Sequence, residues 1–243
     1  MPFYPSIRPW YDQIFQFVPA QLDFVLSFGA DPGLSVLDVG CGTGSLIVAL
    51  ADIFRSTVGM DPDEDMLESA RLKASAKPVG TWFSKAGMLD LNIELAPESV
   101  NRLLCFGNTL PHLANEEEVV DFIHQAFHVI KPNGLIMMQI INYDRILDQK
   151  LDGLPTIGND ECQFERRYQY QQNSTHIQFQ TKLTIRRTGQ IIENSVPLLA
   201  IRPARLRQIL ADSGFSEIEE FGSFKKDPLT SESQAYIVKA MKY

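Results

Sequence analysis

The segment Val36-Leu37-Asp38-Val39-Gly40-Cys41-Gly42-Thr43-Gly44-Ser45 constrains this chain more than any other. A short apolar run of strand character ends in glycines at alternate positions, and an apolar, alanine-containing stretch of helical character follows over 45–54. Glycine at the end of a strand lets the backbone turn tightly and approach a ligand closely. The segment therefore reads as the ligand-binding turn between a buried strand and a helix.

The same alternation continues on both sides of it. Apolar runs predict strands over 35–39, 57–60, 81–86, 102–106 and 135–141, and helices over 63–76 and 116–130, with Pro132-Asn133-Gly134 as a turn. The spacing of Ile14, Phe15, Val18, Leu22, Val25 and Leu26 predicts one amphipathic helix over 11–28. Strands that alternate with helices imply crossovers and a parallel sheet. The texture changes near Asp152. Residues 162–171, 176–187 and 190–201 alternate apolar and polar side chains, with turns at 172–175 and 188–189, so an antiparallel meander is expected there. A helix over 203–213, stopped by Gly214, and strands over 217–221 and 236–241 follow. With 243 residues, the chain reads as one α/β domain, 1–150 and 202–243, carrying an inserted antiparallel β cap over 151–201.

Two acids sharpen the reading of the loop. Asp38 stands two residues before the first glycine, and the spacing is Gly-x-Gly-x-Gly rather than Gly-x-Gly-x-x-Gly. A carboxylate there would repel a pyrophosphate and attract a cation, such as the ammonium and sulfonium of S-adenosylmethionine (SAM). It can also simply cap backbone amides. Asp61 ends the next strand, in Gly59-Met60-Asp61, where an acid can accept both hydroxyls of a ribose. As an alternative, Asp61 or Asp63 caps the helix that follows.

On these residues the chain resembles the class I SAM-dependent methyltransferases, since Val-Leu-Asp-Val-Gly-Cys-Gly-Thr-Gly and Gly-Met-Asp-Pro are similar to that family's first two motifs. The resemblance implies an α/β, Rossmann-like sheet of seven strands with helices on both faces and an antiparallel last strand. It also implies SAM as cofactor, bound by Tyr11, Asp38, Gly40, Cys41, Gly42, Gly44, Asp61, Pro62, Met66, Gly87, Met88 and Phe106. A narrower likeness joins it to the glycine and sarcosine N-methyltransferases, through Cys105-Phe106-Gly107-Asn108-Thr109-Leu110-Pro111-His112-Leu113, Asn142-Tyr143-Asp144 and the late antiparallel insertion. That likeness implies Asn108, Tyr143 and His112 as catalytic candidates. It implies Asn108, Asn142 and Tyr143 as acceptor-binding candidates, and Arg166 and Tyr168 join them on their shared face of the first strand of the insertion. Each has a plainer alternative: His112 can pack under its loop, Tyr143 can plug a pocket wall, and Arg166 and Tyr168, which share one strand face, can point out as well as down. Tyr4, Tyr11 and Phe15 lie where such enzymes close an N-terminal helix over SAM, or they merely pack. Two departures stand out. Ile141 occupies the place of a carboxylate-gripping arginine, which argues against glycine as acceptor, and Gly87 occupies that of an adenine-reading aspartate.

Composition narrows the partners. The net charge of −8 and the scattered Lys and Arg argue against nucleic acid. Cys41, Cys105 and Cys162 form neither a disulfide framework nor a zinc motif, so no metal is expected. Without a signal-peptide pattern or a long apolar run, a cytoplasmic protein that acts on a small molecule is expected, with no membrane partner. The expected chemistry is in-line methyl transfer, at nitrogen. An O-methyltransferase of a small carboxylate or phenol, a nicotinamide-dependent oxidoreductase, and a non-catalytic SAM-binding partner protein remain as alternatives.

Overall fold

The computed structural model describes residues 6–75, 77, 81–172 and 174–243; Tyr4, the helix end expected at 76 and the turn residue Asn173 lie outside them. In chain order the strands are β1 (Ser35–Val39), β2 (Ser56–Met60), β3 (Thr81–Ser84), β4 (Val100–Cys105), β5 (Ile130–Ile141), β6 (Gly153–Gly158), β7 (Cys162–Tyr170), β8 (His176–Ile185), β9 (Ile191–Leu199), β10 (Ser216–Phe221) and β11 (Ala235–Met241). Seven of them form one sheet in the order β10-β11-β5-β4-β1-β2-β3, and β6-β7-β8-β9 form a second, four-stranded sheet. In the large sheet β1 pairs in parallel with β2 and β4, while β11 runs antiparallel to both β5 and β10. The glycine loop thus leaves the centre of the sheet, where neighbours on both sides fix its position.

The helices are α1 (Tyr11–Ile14), α2 (Pro19–Leu26), α3 (Ser45–Leu50), α4 (Glu64–Ala74), α5 (Leu91–Glu94), α6 (Glu116–Val129), α7 (Tyr143–Asp148) and α8 (Pro203–Asp212). Successive strand side chains point to opposite faces, and this period divides the interior in two. Leu37, Leu103, Ile136, Met138 and Val238 join Phe122 and Ile123 of α6 and Leu206 of α8 in one cluster. Val36, Leu104, Met137 and Ile237 join Phe24 of α2 and Ile47 and Leu50 of α3 in the other. Asp38 has the parity of Val36 and so shares the second face.

The structure departs from the expected elements in three places. The helix expected over 11–28 is broken. Phe15 leaves helical geometry at φ −109° and ψ 70°, and Val18, at φ −105° and ψ 109°, is held extended by Pro19, which starts α2. The break frees residues 6–15 to lie against the small sheet, where Ile7 and Ile14 pack with Cys162, Phe164, Leu183 and Ile185. The small sheet has a fourth strand, β6. Its pattern was hidden by Pro155, which sits on an edge strand beside a register shift between Leu154 and Ile157. The turn at Pro132-Asn133-Gly134 falls within β5, as an irregularity where Asn133 takes φ 62°. Among the described residues, no helix is long and apolar enough to cross a membrane.

Arg102 on β4 is 3% exposed and fastens α2 to the sheet. Its guanidinium donates to the carbonyls of Val25 (2.7 Å) and Phe28 (2.6 Å) at the C-terminal end of that helix, and lies 5.6 Å from the Phe54 ring centroid. Charge-assisted hydrogen bonds contribute about 1.5–3 kcal/mol each. Arg102→Met, which keeps the stem and removes the donors, is expected to lower unfolding free energy by on the order of 3 kcal/mol in a urea titration. A change below about 0.5 kcal/mol would show that these contacts do not hold α2 in place.

Candidate functional site

After β1 the chain turns through Gly40, Gly42 and Gly44, all in the left-handed region at φ 72°, 54° and 74°. At Gly40 a side chain is excluded twice over, because its Cβ would also lie 2.4 Å from Cγ2 of Thr109. The amides of Gly40 and Cys41 donate to the Met60 carbonyl at 2.8 and 3.0 Å, which binds the loop to the end of β2. The next residue continues the connection: one Asp61 carboxylate oxygen accepts from the Gly42 amide and the other from the Asp63 amide, each at 2.9 Å. The capping question is thereby resolved. Asp63 caps α4, accepting from the amides of Asp65 and Met66, and Asp61 faces a cavity. Each Asp61 oxygen keeps a lone pair beyond the bond it makes.

That cavity measures about 630 Å³, and its walls include Tyr11, Gly40, Gly42, Asp61, Pro62, Met66, Gly87, Met88, Gly107, Thr109 and His112. A second cavity of about 620 Å³ shares Tyr11, Gly40 and Gly107 with it and is lined also by Asp38, Cys41 and Phe106. Gly44 lines neither; it lets α3 and α4 approach, since its Cβ would lie 2.7 Å from that of Ala70. The cavities therefore gather most of the expected cofactor residues. They add Asp63, Glu64, Asp65, Ala86, Gly107 and Thr109, which sequence reading did not select. The acids 63–65 follow directly on Asp61 and Pro62, so proximity in the chain was the available signal. At the far wall the Gly87 amide donates to the Asp90 carboxylate at 2.7 Å, which brings an acid beside the position where the motif's aspartate is missing.

Electrostatics favour a cationic ligand. Asp38 is 4% exposed, and burial, aided by the nearby Asp61 carboxylate, pushes its pKa up to about 7. Burial is also the main cause of the raised pKa of Asp61. Two carboxylates that resist ionising together are relieved by a positive charge placed between them. His112 is accessible at the cavity wall, yet it is crowded enough that loss of hydration lowers its pKa below the usual histidine value. It is therefore neutral at pH 7.

The expected acceptor-binding residues do not all converge. Asn108, at φ 63°, spends its side-chain oxygen on the Ile141 amide at 2.9 Å, so it braces the loop after β4 against β5. Asn142 is 2% exposed and is used structurally: its oxygen caps α7 at the Asp144 amide, and its nitrogen donates to the carbonyls of Thr230 and Ser233. Tyr143 is fully buried in the larger core cluster. Ile141 pairs with Ala235 of β11 and packs against that same core. Arg166 and Tyr168 share the face of β7 that carries the buried Phe164, and neither lines either of the two cavities. Phe15 stacks edge-on against Phe164 at 5.7 Å, and Tyr11 lies 5.0 Å from Phe15.

Residues 36–134 match the family model of a methyltransferase domain. The chain is 32% identical, over 66% of each chain, to a protein of Geobacillus sp. (strain WCH70) named only as a methyltransferase. It is 26% identical to the glycine/sarcosine N-methyltransferase of Parasynechococcus marenigrum (strain WH8102), over 86% of this chain and 72% of that one. Its relatives include O-methyltransferases of ubiquinone biosynthesis as well. The fold matches the crystal structure of a S-adenosylmethionine-dependent methyltransferase from Clostridium acetobutylicum ATCC 824 with a TM-score of 0.83, at 15% identity over 98% of each chain.

The raised pKa of Asp38 yields a pH dependence with a definite sign. Its folded value lies above the ordinary 3.8, so the unliganded protein loses stability as pH rises from about 3.8 to about 7. A cationic ligand requires the ionised form. SAM affinity is therefore expected to weaken by up to about tenfold per unit as pH falls from about 7 to about 5.5. His112 charges in the same direction, so the comparison is with Asp38→Asn. This variant is expected to bind SAM more weakly, to show a flatter profile over that window, and to melt no lower at pH 8. Calorimetric titration at each pH reads this out, and an identical slope in the two proteins would remove Asp38 from the ligand's surroundings.

Proposed function

The chain is a class I SAM-dependent methyltransferase, and from that we propose that it moves the methyl group to a nitrogen of a small-molecule acceptor by in-line displacement. The observation that carries this reading is the pair of cavities meeting at Tyr11, Gly40 and Gly107, one lined by two-oxygen acceptors, the other wall of the first by a neutral imidazole. SAM supplies an activated methyl group on a sulfonium. The residues present fit it: Asp61 has lone pairs for ribose hydroxyls, Asp38 has a carboxylate that a cation stabilises, and Gly87 and Met88 line the same cavity as Asp61.

The protein's remaining tasks are placement and proton removal. Displacement needs the nucleophile about 3–3.5 Å from the methyl carbon, with water kept out. The four-stranded sheet, with residues 6–15 packed against it, contributes Ile157, Gly158 and Asn159 to the wall of the second cavity and can supply that exclusion. An amine that arrives protonated must first lose a proton. His112, neutral and accessible at the cavity wall, can take it onto an imidazole nitrogen. The N-methyltransferase named among the relatives supports nitrogen as the target.

Two measurements check this. Melting with ligand at about 100 times its dissociation constant should add roughly 2.7 kcal/mol for SAM or S-adenosylhomocysteine and nothing for NAD. S-adenosylhomocysteine release should then appear with some member of a panel of small amines. A panel in which only phenols or carboxylates turn over would give the reaction to oxygen.

His112→Gln is expected to lower kcat by about 10²–10⁴-fold with SAM affinity changed less than threefold. The acid limb of the wild-type profile, set by a pKa below the usual histidine value, should vanish with it. An unchanged kcat would mean that the acceptor binds already deprotonated.

A further inference from the structure

Three buried polar atoms without a hydrogen-bond partner among the described residues lie on neighbouring positions of the small sheet: Nε of Arg166, Oη of Tyr168 and Oγ1 of Thr181. Thr181 on β8 is the register partner of Arg166 on β7, and Tyr168 lies two residues along the same strand, so all three share a face. It is the inner face. To one side Phe164 and Leu183 pack with Ile7 and Ile14 of the N-terminal segment, and to the other Tyr168 and Ile177 belong to the core that contains Tyr143. Tyr168 is 7% and Thr181 4% exposed. Arg166 is half-buried; Nη2 donates to the Pro155 carbonyl, and among the described residues the guanidinium has no ion pair with a carboxylate. Its neighbour Arg167 turns outward and sits near Glu165.

Unmade hydrogen bonds in the interior are costly, and a cation without a counter-charge is more so. What would complete this cluster is an anion that only accepts hydrogen bonds. A carboxylate has two oxygens and about four lone-pair sites, enough for one guanidinium N–H and two hydroxyls. We propose that the inner face of the cap holds a carboxylate of the methyl acceptor, with Arg166, Tyr168 and Thr181 as its donors. This rests on the small-acceptor reading above and adds the acceptor's class, a small carboxylic acid held by the cap rather than at the end of β5, where Ile141 offers no charge. The three atoms are buried in this conformation, so occupancy requires this face to part from the side chains packed against it.

The test titrates acetate, propionate and benzoate, each beside its primary amide, into protein saturated with S-adenosylhomocysteine. At least one acid should bind tenfold or more tightly than its amide. Arg166→Gln should remove that preference, and Arg167→Gln, with the same change of net charge on the outer face, should leave it within twofold. Tyr168→Phe and Thr181→Val should each weaken the acid at least threefold while the unliganded melting temperature holds or rises, because a hydroxyl without a partner has been removed. These two variants decide the matter if Arg166→Gln does not fold. Equal binding of acids and amides, or equal losses in the two arginine variants, overturns the proposal. Amines methylated regardless of a carboxylate overturn it alone; acids that bind while no acceptor releases S-adenosylhomocysteine overturn the methyl-transfer reading alone.

Discussion

One carboxylate joins the parts of the site. Asp61 takes the Gly42 amide on one oxygen and the Asp63 amide on the other, so the turn after β1 and the start of α4 are held by the same side chain. The Met60 carbonyl adds two bonds from the other side of the loop. Because β1 and β2 are paired residue for residue up to Val39 and Met60, the loop inherits the rigidity of the sheet. The glycines can remain in left-handed geometry because neighbouring groups fix them there.

That arrangement places negative charge where hydration is poor. Asp38 and Asp61 lie at adjacent strand ends; burial raises the cost of ionising both, and the Asp61 carboxylate adds to it at Asp38. The resulting deficit is a local preference for a cation at the sheet's edge. On the small sheet the deficit has the opposite sign, since Arg166 is half-buried with no carboxylate paired to it among the described residues.

The regular parts were legible because periodicity reports burial directly. The order of strands and helices, the two-faced sheet and the antiparallel insertion all follow from runs of period 2 and 3.6. Local chemistry intervened elsewhere. Pro19 breaks a helix whose apolar spacing is intact, and Pro155 masks a strand that exists only as an edge. The cavity wall was readable as motif residues that cluster in space. The acceptor candidates were less so, because a motif gives residue type and not direction. Asn108 and Asn142 turn their amides into backbone braces, and Tyr143 sinks into the core. Arg166 and Tyr168 could not be assigned a face until β7 had a neighbour on each side.

The broken N-terminal helix has a consequence for assembly. The surfaces that residues 6–15 rest on come later in the chain: Arg8 meets Asp65 and Glu68, Asp12 meets Lys73, Gln13 meets Glu161, and Ser6 meets Asn194 at a separation of 188 positions. Tyr11 can become a wall of either cavity only after those surfaces exist. Among contacts this distant in sequence, loop closure is the slow and entropically costly part. The two cavities thus acquire their common wall only once partners up to 188 positions further along the chain are in place.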